Sequence, residues 1–274
     1  MLIKTLVENT AATPTFGCEH GLCLYIETKT HKLLFDTGAS DLFTENAQKM
    51  DVDLSQVDLV VISHGHNDHG GGLSTFMQVN QKAKIYVQQT AFGQYYSHHA
   101  NGENGYIGLN QSLLSSDRFV FTQGRLMIDD ELSLFSSVKG NRLRPSGNHD
   151  LLMKTDDSFV RDDFSHEQNL VITEGTNTLL VAGCAHNGIV NVLEHFQAEY
   201  KTLPSHVIGG FHLHSSGSNT NEDAETVAQI GRFLADTHAQ CYTCHCTGIE
   251  SYHRLKAIMG EQINYLSSGS QLTI

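Results

Sequence analysis

The sequence contains no tryptophan, only 3 prolines and only 17% charged residues among its 274 positions. With 39% hydrophobic residues, this composition excludes disordered, collagen-like and disulfide-scaffold chains. No apolar run is long enough to span a membrane, and the N-terminal stretch lacks the basic region, apolar core and cleavage site of a signal peptide. We therefore expect a cytoplasmic globular protein that has no membrane partner and keeps its cysteines reduced.

Positive charge is scarce as well. The chain has 17 Lys and Arg against 30 Asp and Glu, which gives a net charge of -13, and this balance argues against a nucleic-acid partner. Histidine is abundant, with 17 residues, and this abundance suggests imidazoles that serve metal or proton chemistry. We expect most of them, such as His98, His99 and His149, to be surface residues without a role.

No repeat, low-complexity tract or linker divides the chain, so we expect a single domain over residues 1–274. The polar stretch 139–165 has no clear pattern and is interpreted as an insertion or a lid. Hydrophobic patterns predict helices at 40–50, 88–97, 188–200, 222–236 and 248–259. They predict strands at 2–8, 22–28, 32–36, 57–62, 84–87, 118–138, 169–174, 178–182, 205–209, 239–243 and 262–266.

The most specific pattern in the chain is SHGHNDHGGG at residues 63–72, directly after a predicted buried strand. In a glycine-rich loop, His64 and His66 can face one metal ion while Asp68 and His69 turn to a second. Nitrogen and oxygen ligands of this kind suit zinc, with iron or manganese as alternatives. The other interpretation, a hydrogen-bonded turn, does not explain four ligand-type residues at this spacing.

Three further histidines follow predicted strands in the second half of the chain. His186 comes after the strand at 178–182, His212 after 205–209 and His245 after 239–243. Turns that leave strand ends on one rim of a sheet can converge on one cleft. The sequence thus predicts a cleft in which these histidines meet the 63–72 loop.

Together these segments resemble the metallo-β-lactamase fold superfamily. The resemblance rests on the HGHNDH motif, the upstream LFDTG turn at 34–38, and the runs GCAHNGIVN at 183–191, GGFHL at 209–213 and CHCTG at 244–248. They are most similar to the branch named for the 7,8-dihydropterin-6-methyl-4-(β-D-ribofuranosyl)-aminobenzene-5'-phosphate synthase. The resemblance implies an α/β (α+β) fold, a four-layer αββα sandwich with a metal cleft along one rim.

The resemblance also implies a ligand set. One metal ion would be held by His64, His66 and His186, and the other by Asp68, His69 and His245. Asp36 would hold a ligand imidazole in the required tautomer through its free ring N–H.

Other residues have more than one interpretation. Many superfamily members use an aspartate to bridge the two metals, whereas this chain has Cys184, which is either a thiolate ligand in that place or a small buried residue. His212 is a further ligand, a proton donor or a substrate-binding residue. Thr247 and Gly248 begin a helix whose amides could bind an anionic group of the substrate.

The cysteines on either side of His245 do not indicate a separate metal site. Cys244 and Cys246 flank His245, and we interpret them as bystanders, because no second cysteine pair completes a structural zinc site.

These observations predict a metal-dependent hydrolase, with two zinc ions as the expected cofactor, that acts on a small anionic or phosphorylated substrate through a metal-bound hydroxide. Asp68 and His212 are the candidate catalytic residues. Three alternatives stay open: a condensing enzyme like the synthase of the resembling branch, a catalytically silent metal-binding sensor, and a redox enzyme that uses iron and dioxygen. The expected partner is a small molecule, and self-association into a homo-oligomer is left open.

Overall fold

A computed structural model describes residues 1–99 and 101–274. Two seven-stranded sheets form the centre of the molecule. The strands of the first sheet are, in spatial order, Gln271–Thr273, Leu2–Val7, Cys23–Glu27, Lys32–Phe35, Leu59–Ile62, Lys84–Gln88 and Phe119–Thr122. Those of the second sheet are Ile263–Tyr265, Gln240–Thr243, His206–Gly209, Asn177–Val181, Gln168–Glu174, Leu132–Ser136 and Arg125–Met127.

Both sheets are mixed in the same way, with antiparallel pairs on one side and parallel pairs on the other. In the first sheet the pairs from Lys32–Phe35 to Phe119–Thr122 are parallel, and in the second sheet those from Asn177–Val181 to Ile263–Tyr265 are parallel. Parallel neighbours leave their carboxyl ends on the same edge, so the loops that follow them can meet there.

Alternating side chains of the strands build three apolar layers. In the strand Lys32–Phe35, Leu33 and Phe35 pack between the two sheets, whereas Leu34 packs on the outer face of the first sheet. Phe43 and Phe76 cover that outer face. Phe196 covers the outer face of the second sheet, together with other helical residues. The αββα sandwich is thereby confirmed.

Within the described residues, the helices are Leu42–Lys49, Asn67–Gly70, Leu73–Val79, Ile189–Tyr200, Ala224–Asp236 and Ile249–Met259. The helix Ala224–Asp236 begins at Asp223, whose side chain accepts hydrogen bonds from the amides of Glu225 and Thr226, which stabilises the first turn. Short 3₁₀ turns lie at Leu54–Gln56, Gln111–Ser115, Ser146–Asp150, His245–Thr247 and Gly260–Gln262. In the described part of the chain, no helix is long and apolar enough to cross a membrane.

The segment between the halves of the molecule differs from the sequence prediction. The helix predicted at 88–97 is wrong, because Tyr95–His98 is a strand that pairs with Asn104–Tyr106 and Leu151–Thr155. Together with Ser158–Arg161 these strands form a small four-stranded sheet. The stretch 139–165 therefore contains a β-hairpin of this small sheet, and its role as an insertion or a lid stays a prediction.

Other differences are smaller. The strand predicted at 118–138 is three separate strands, and a two-stranded hairpin, His214–Ser215 with Thr220–Asn221, follows His212. The helices Asn67–Gly70 and Leu73–Val79 and the strand Gln271–Thr273 were not predicted.

Candidate metal centre

The loop after strand Leu59–Ile62 carries four of the predicted ligands. Its backbone is held by several contacts: Gly65 N donates to His166 Nδ1 at 2.9 Å, and Asn67 N donates to Ile107 O at 2.7 Å. Gly183 of the second sheet lies so close that a Cβ atom there would be 2.2 Å from Ser63 Oγ. A glycine at this position allows the two sheets to bring their loops together.

The first group of ligand atoms comes from His64, His66 and His186. His64 Nε2 and His66 Nδ1 lie 3.0 Å apart, and the three histidines can each offer one nitrogen within 4.8 Å of the others. All three side chains are buried. Within the described residues, His186 Nε2 has no hydrogen-bond partner.

The second group comes from Asp68, His69 and His245. Asp68 Oδ2 lies 3.6 Å from His69 Nε2 and 3.3 Å from His245 Nε2, and the two ring nitrogens are 3.2 Å apart. Three ligand atoms of three separate side chains thus point at one location.

Most of these rings are oriented through their other nitrogen. Ser63 Oγ lies 2.9 Å from His64 Nδ1, and Asp36 Oδ2 lies 2.6 Å from His69 Nδ1. Asn148 Oδ1 lies 2.9 Å from His186 Nδ1, and Asn9 Oδ1 lies 2.7 Å from His245 Nδ1. An oxygen acceptor at one nitrogen places the ring proton there and leaves a lone pair on the other.

The two groups of candidate ligands differ in the pKa values of their histidines. Burial and the neighbouring imidazoles hold the pKa of His64 and that of His186 well below the usual value, so both rings are neutral and can offer lone pairs. Burial alone would lower the pKa of His69 as well, but the carboxylates of Asp68 and Asp36 raise it to about 9. The two carboxylates thus place negative charge beside His69, which favours a cation at the second group.

Two cysteines lie at the same place. Cys184 Sγ is 3.1 Å from His69 Nε2, and Cys246 Sγ is 3.7 Å from the carbonyl oxygen of Cys184. Burial raises the pKa of Cys184. Burial alone would raise the pKa of Cys246 too, but the hydrogen bond with Cys184 and the nearby ring of His245 lower it.

Of the six candidate ligands, His66, Asp68, His186 and His245 line a cleft of about 330 Å³. The small sheet contributes Ser97 and Leu151 to the lining, and the hairpin after His212 contributes His214 and Ser215. His212 has a positive φ of 50° and a ring centroid 4.2 Å from that of His186. Neither of its ring nitrogens has a hydrogen-bond partner within the described residues. The lining is His20, His66, Asn67, Asp68, Ser97, His99, Ile107, Gly147, Asp150, Leu151, Cys184, His186, His212, His214, Ser215, Ser216, Gly217, His245 and Cys246.

Thr247 and Gly248 do not line this cleft, in contrast to the sequence interpretation. Thr247 is fully buried, and its hydroxyl accepts from Phe211 N at 2.9 Å. Gly248 lies against His214, where a Cβ atom would be 2.7 Å from the Cβ of that residue. Both positions therefore serve the local packing of the turn.

Sequence reasoning missed several residues of the cleft. His20 Nε2 lies 3.3 Å from Asp68 Oδ2. His99 was expected to have no role but lines the cleft. Asn9 and Asn148 gave no signal, because an isolated asparagine has no spacing pattern that connects it to a histidine far along the chain.

The residues present fit a metal centre. The buried and unpartnered Nε2 atom of His186, the paired ring nitrogens and the carboxylate of Asp68 form a donor set of the kind that zinc, iron or manganese takes. Buried polar atoms normally have partners, and a cation would supply them here.

The fold and this donor set define an αββα protein with a candidate metal centre. The chain belongs to the metallo-beta-lactamase superfamily, since residues 16–225 match the model of that family.

Similar proteins agree with this assignment. The chain is 26% identical over 264 residues to an uncharacterized protein of Methanocaldococcus jannaschii, with 94% of each chain covered. It is 23% identical over 285 residues to the 7,8-dihydropterin-6-methyl-4-(beta-D-ribofuranosyl)-aminobenzene-5'-phosphate synthase of the same organism, with 97% of this chain and 94% of the synthase covered. A crystal structure described as a metal-dependent hydrolase of the beta-lactamase superfamily superposes with a TM-score of 0.84 at 27% identity, covering 100% of this chain and 99% of that one.

Proposed function

We propose that the protein is a metal-dependent hydrolase for a small anionic or phosphorylated molecule, with two zinc ions as cofactor and iron or manganese as alternatives. One observation carries the proposal: the two groups of three candidate ligands, His64/His66/His186 and Asp68/His69/His245, adjoin each other, and both groups contribute residues to the lining of one cleft. The similarity to a structure described as a metal-dependent hydrolase supports it.

When bound, the ions would supply hydroxide at neutral pH and polarise the carbonyl or phosphoryl group that is attacked. The chain itself binds and orients the substrate. His212, whose ring nitrogens are free of partners within the described residues, is placed to donate a hydrogen bond to a substrate oxygen. Asp68 would help to hold the second ion, because its carboxylate contacts both imidazoles of the second group.

The cleft indicates the size and charge of the substrate. A volume of about 330 Å³ suits a small molecule. Among the described residues, the lining contains no Lys or Arg, so the negative charge of the substrate would be met by the metal ions and by the imidazoles of His20, His99 and His214. Hydroxyl groups of Ser97, Ser215 and Ser216 add further hydrogen-bond donors.

The test uses the full chain, freed of metal and reloaded with zinc. We expect turnover of at least one member of a panel of phosphate monoesters, phosphodiesters, carboxylic esters, thioesters and lactams. The variant His66→Ala should lose both turnover and metal, whereas His253→Ala, an exposed histidine on the last helix, should keep both. Unchanged turnover in His66→Ala would overturn the proposal.

A condensing reaction is the second candidate. The similarity to the synthase over nearly the whole chain favours it. Incubation with a dihydropterin pyrophosphate and a ribofuranosyl-aminobenzene phosphate, followed by mass spectrometry, would reveal a condensed product and the released pyrophosphate. Full metal content without turnover in either assay would instead favour a metal-binding sensor.

A further inference from the structure

We propose that Cys184 and Cys246 both supply thiolate ligands to the metal centre, on the side of His69 and His245, and that the centre therefore takes a thiophilic ion such as zinc or ferrous iron. This inference rests on metal binding at the centre proposed above. It does not depend on the reaction that the centre catalyses.

The position of Cys184 is the first observation. The sulfur of Cys184 belongs to three groups of potential ligand atoms, and within each group all atoms lie within 4.8 Å of one another. The other members are His64 and His69 in the first group, His186 and His212 in the second, and His245 and Cys246 in the third. Cys184 Sγ thus lies between the two groups of histidines, and its distance of 3.1 Å from His69 Nε2 is that of two ligands of one ion.

Cys246 extends this arrangement. Its sulfur lies within 4.8 Å of both Cys184 Sγ and the ligand nitrogen of His245. The backbone makes room for it: a Cβ atom at Gly210 would lie 2.4 Å from Cys246 Sγ. Two imidazoles and two thiols at these distances form a set of nitrogen and sulfur donors that is typical of zinc and iron sites.

The surroundings of the other buried cysteines provide a comparison. Cys23, Cys241 and Cys244 each pack in one of the three apolar clusters of the core, as buried free cysteines usually do. Cys184 and Cys246 are as buried, at 3% and 4% exposure, yet among the described residues they belong to none of these clusters. They line the cleft beside imidazoles instead.

The sulfur donors would determine which metal is taken. Thiolates favour zinc and iron, whereas manganese and magnesium prefer oxygen ligands. We therefore expect the centre to retain zinc or ferrous iron in competition with manganese, and to lose this preference when both sulfurs are removed.

The experiment is X-ray absorption spectroscopy at the zinc edge on the full chain, loaded with zinc in a buffer without thiols. A zinc–sulfur distance of about 2.3 Å is distinct from zinc–nitrogen and zinc–oxygen distances of about 2.0–2.1 Å. We expect sulfur in the zinc shell of the unmodified protein, less sulfur in Cys184→Ser and in Cys246→Ser, and none in the double variant. Cys241→Ser, which changes a buried cysteine of the apolar core, is the matched control and should keep the full sulfur contribution.

Loading with cobalt(II) gives a second readout. Thiolate-to-cobalt charge transfer should appear in the near-ultraviolet spectrum, weaken in each single variant and vanish in the double variant. A zinc shell of nitrogen and oxygen only in the unmodified protein would overturn the proposal, and so would a sulfur contribution that Cys246→Ser leaves unchanged. If a variant does not fold, the spectrum of the unmodified protein still decides whether sulfur is bound.

The outcome is separable from that of the proposed hydrolase. If the protein hydrolyses a substrate but its zinc has only nitrogen and oxygen ligands, the thiolate proposal is rejected and the hydrolase proposal stands. A sulfur-containing shell without turnover of any substrate would support the thiolates and reject the hydrolase.

Discussion

Asp36 Oδ2 lies 2.6 Å from His69 Nδ1, and both side chains are fully buried. The same carboxylate accepts hydrogen bonds from the amide and the hydroxyl of Ser63, at 2.7 Å each. One acidic side chain at the end of a strand of the first sheet thus orients both the ring of His69 and Ser63, the residue directly before the HGHNDH motif. The sequence predicts this type of contact for Asp36, and whether the ring binds metal stays a prediction.

Replacing Asp36 with Asn tests this orientation. Asp36 has a φ of 61°, which Asn tolerates, so the backbone should be retained while the charge that fixes the His69 tautomer is lost. We expect roughly 10–100-fold weaker metal binding, measured by competition with a chromophoric chelator. Asp51→Asn makes the same change at an exposed position with a φ of 53° and should leave the affinity unchanged. Equal affinities for the two variants would contradict the role of Asp36.

Asn148 holds His186 in two ways. Its Oδ1 lies 2.9 Å from His186 Nδ1, and its Nδ2 donates to the backbone oxygen of His186 at 2.7 Å. Asn148→Ala should therefore weaken metal binding by roughly 10–100-fold without changing the number of ligands. Isothermal titration of metal-free protein with zinc measures this, with the exposed Asn101→Ala as control. An unaltered affinity would show that His186 is positioned by its backbone turn alone.

The carboxylate of Asp68 places a negative charge among the histidines of the second group. Its carboxylate contacts His20, His69 and His245, so Asp68→Asn removes negative charge where a cation would bind. We expect a loss of turnover larger than the roughly 10–100-fold that follows removal of an outer partner, together with fewer zinc ions per chain by plasma mass spectrometry. Asp157→Asn, in an exposed turn, is the control. Full rate and full metal in Asp68→Asn would refute its role as a ligand.

Glu8 links the first strand to the turn that carries His245. Its buried carboxylate accepts hydrogen bonds from the amide of His245 at 2.6 Å, from the amide and hydroxyl of Thr10, and from the hydroxyl of Tyr265. Glu8→Ala would leave these donors without partners, which costs roughly 1–3 kcal/mol for each buried donor that water cannot reach. Urea denaturation of the metal-free protein measures the loss, and the exposed Glu45→Ala should show no comparable effect.

Removal of metal should lower both activity and thermal stability. An ion that binds only the folded state stabilises it in proportion to the logarithm of its concentration over the dissociation constant. Treatment with a chelator should therefore lower Tm, and added zinc should restore it along with turnover. A Tm that does not respond to zinc would mean that the folded protein has no appreciable zinc affinity.

Much of the fold could be predicted from the sequence because its central strands are short apolar runs. The run Val57–Ile62 is one example, and the loop after it identified four candidate ligands by their spacing. The strand Tyr95–His98 could not be predicted in this way. Its two faces do not alternate clearly in polarity, and its pairing with Leu151–Thr155 depends on residues more than fifty positions away.

In the candidate site too, residues that are close in sequence could be predicted, whereas contacts between distant residues could not. His64, His66, Asp68 and His69 are close in sequence, so their spacing carries the information. Cys246 was interpreted as a bystander because the sequence shows no second cysteine pair, and its proximity to Cys184 joins positions from two separate turns. Local patterns show which residue types can bind a metal, but only the tertiary structure shows which of them face each other.

The proximity of His69 and His245 has a consequence for unfolding. The two residues lie 176 positions apart in the chain and follow strands of different sheets. An ion held by both would act as a cross-link between the two sheets and would close a very long loop. Closing such a loop restricts the unfolded chain. A bound ion would therefore hold the two halves of the sandwich together, and the sheets could separate only after the ion has dissociated.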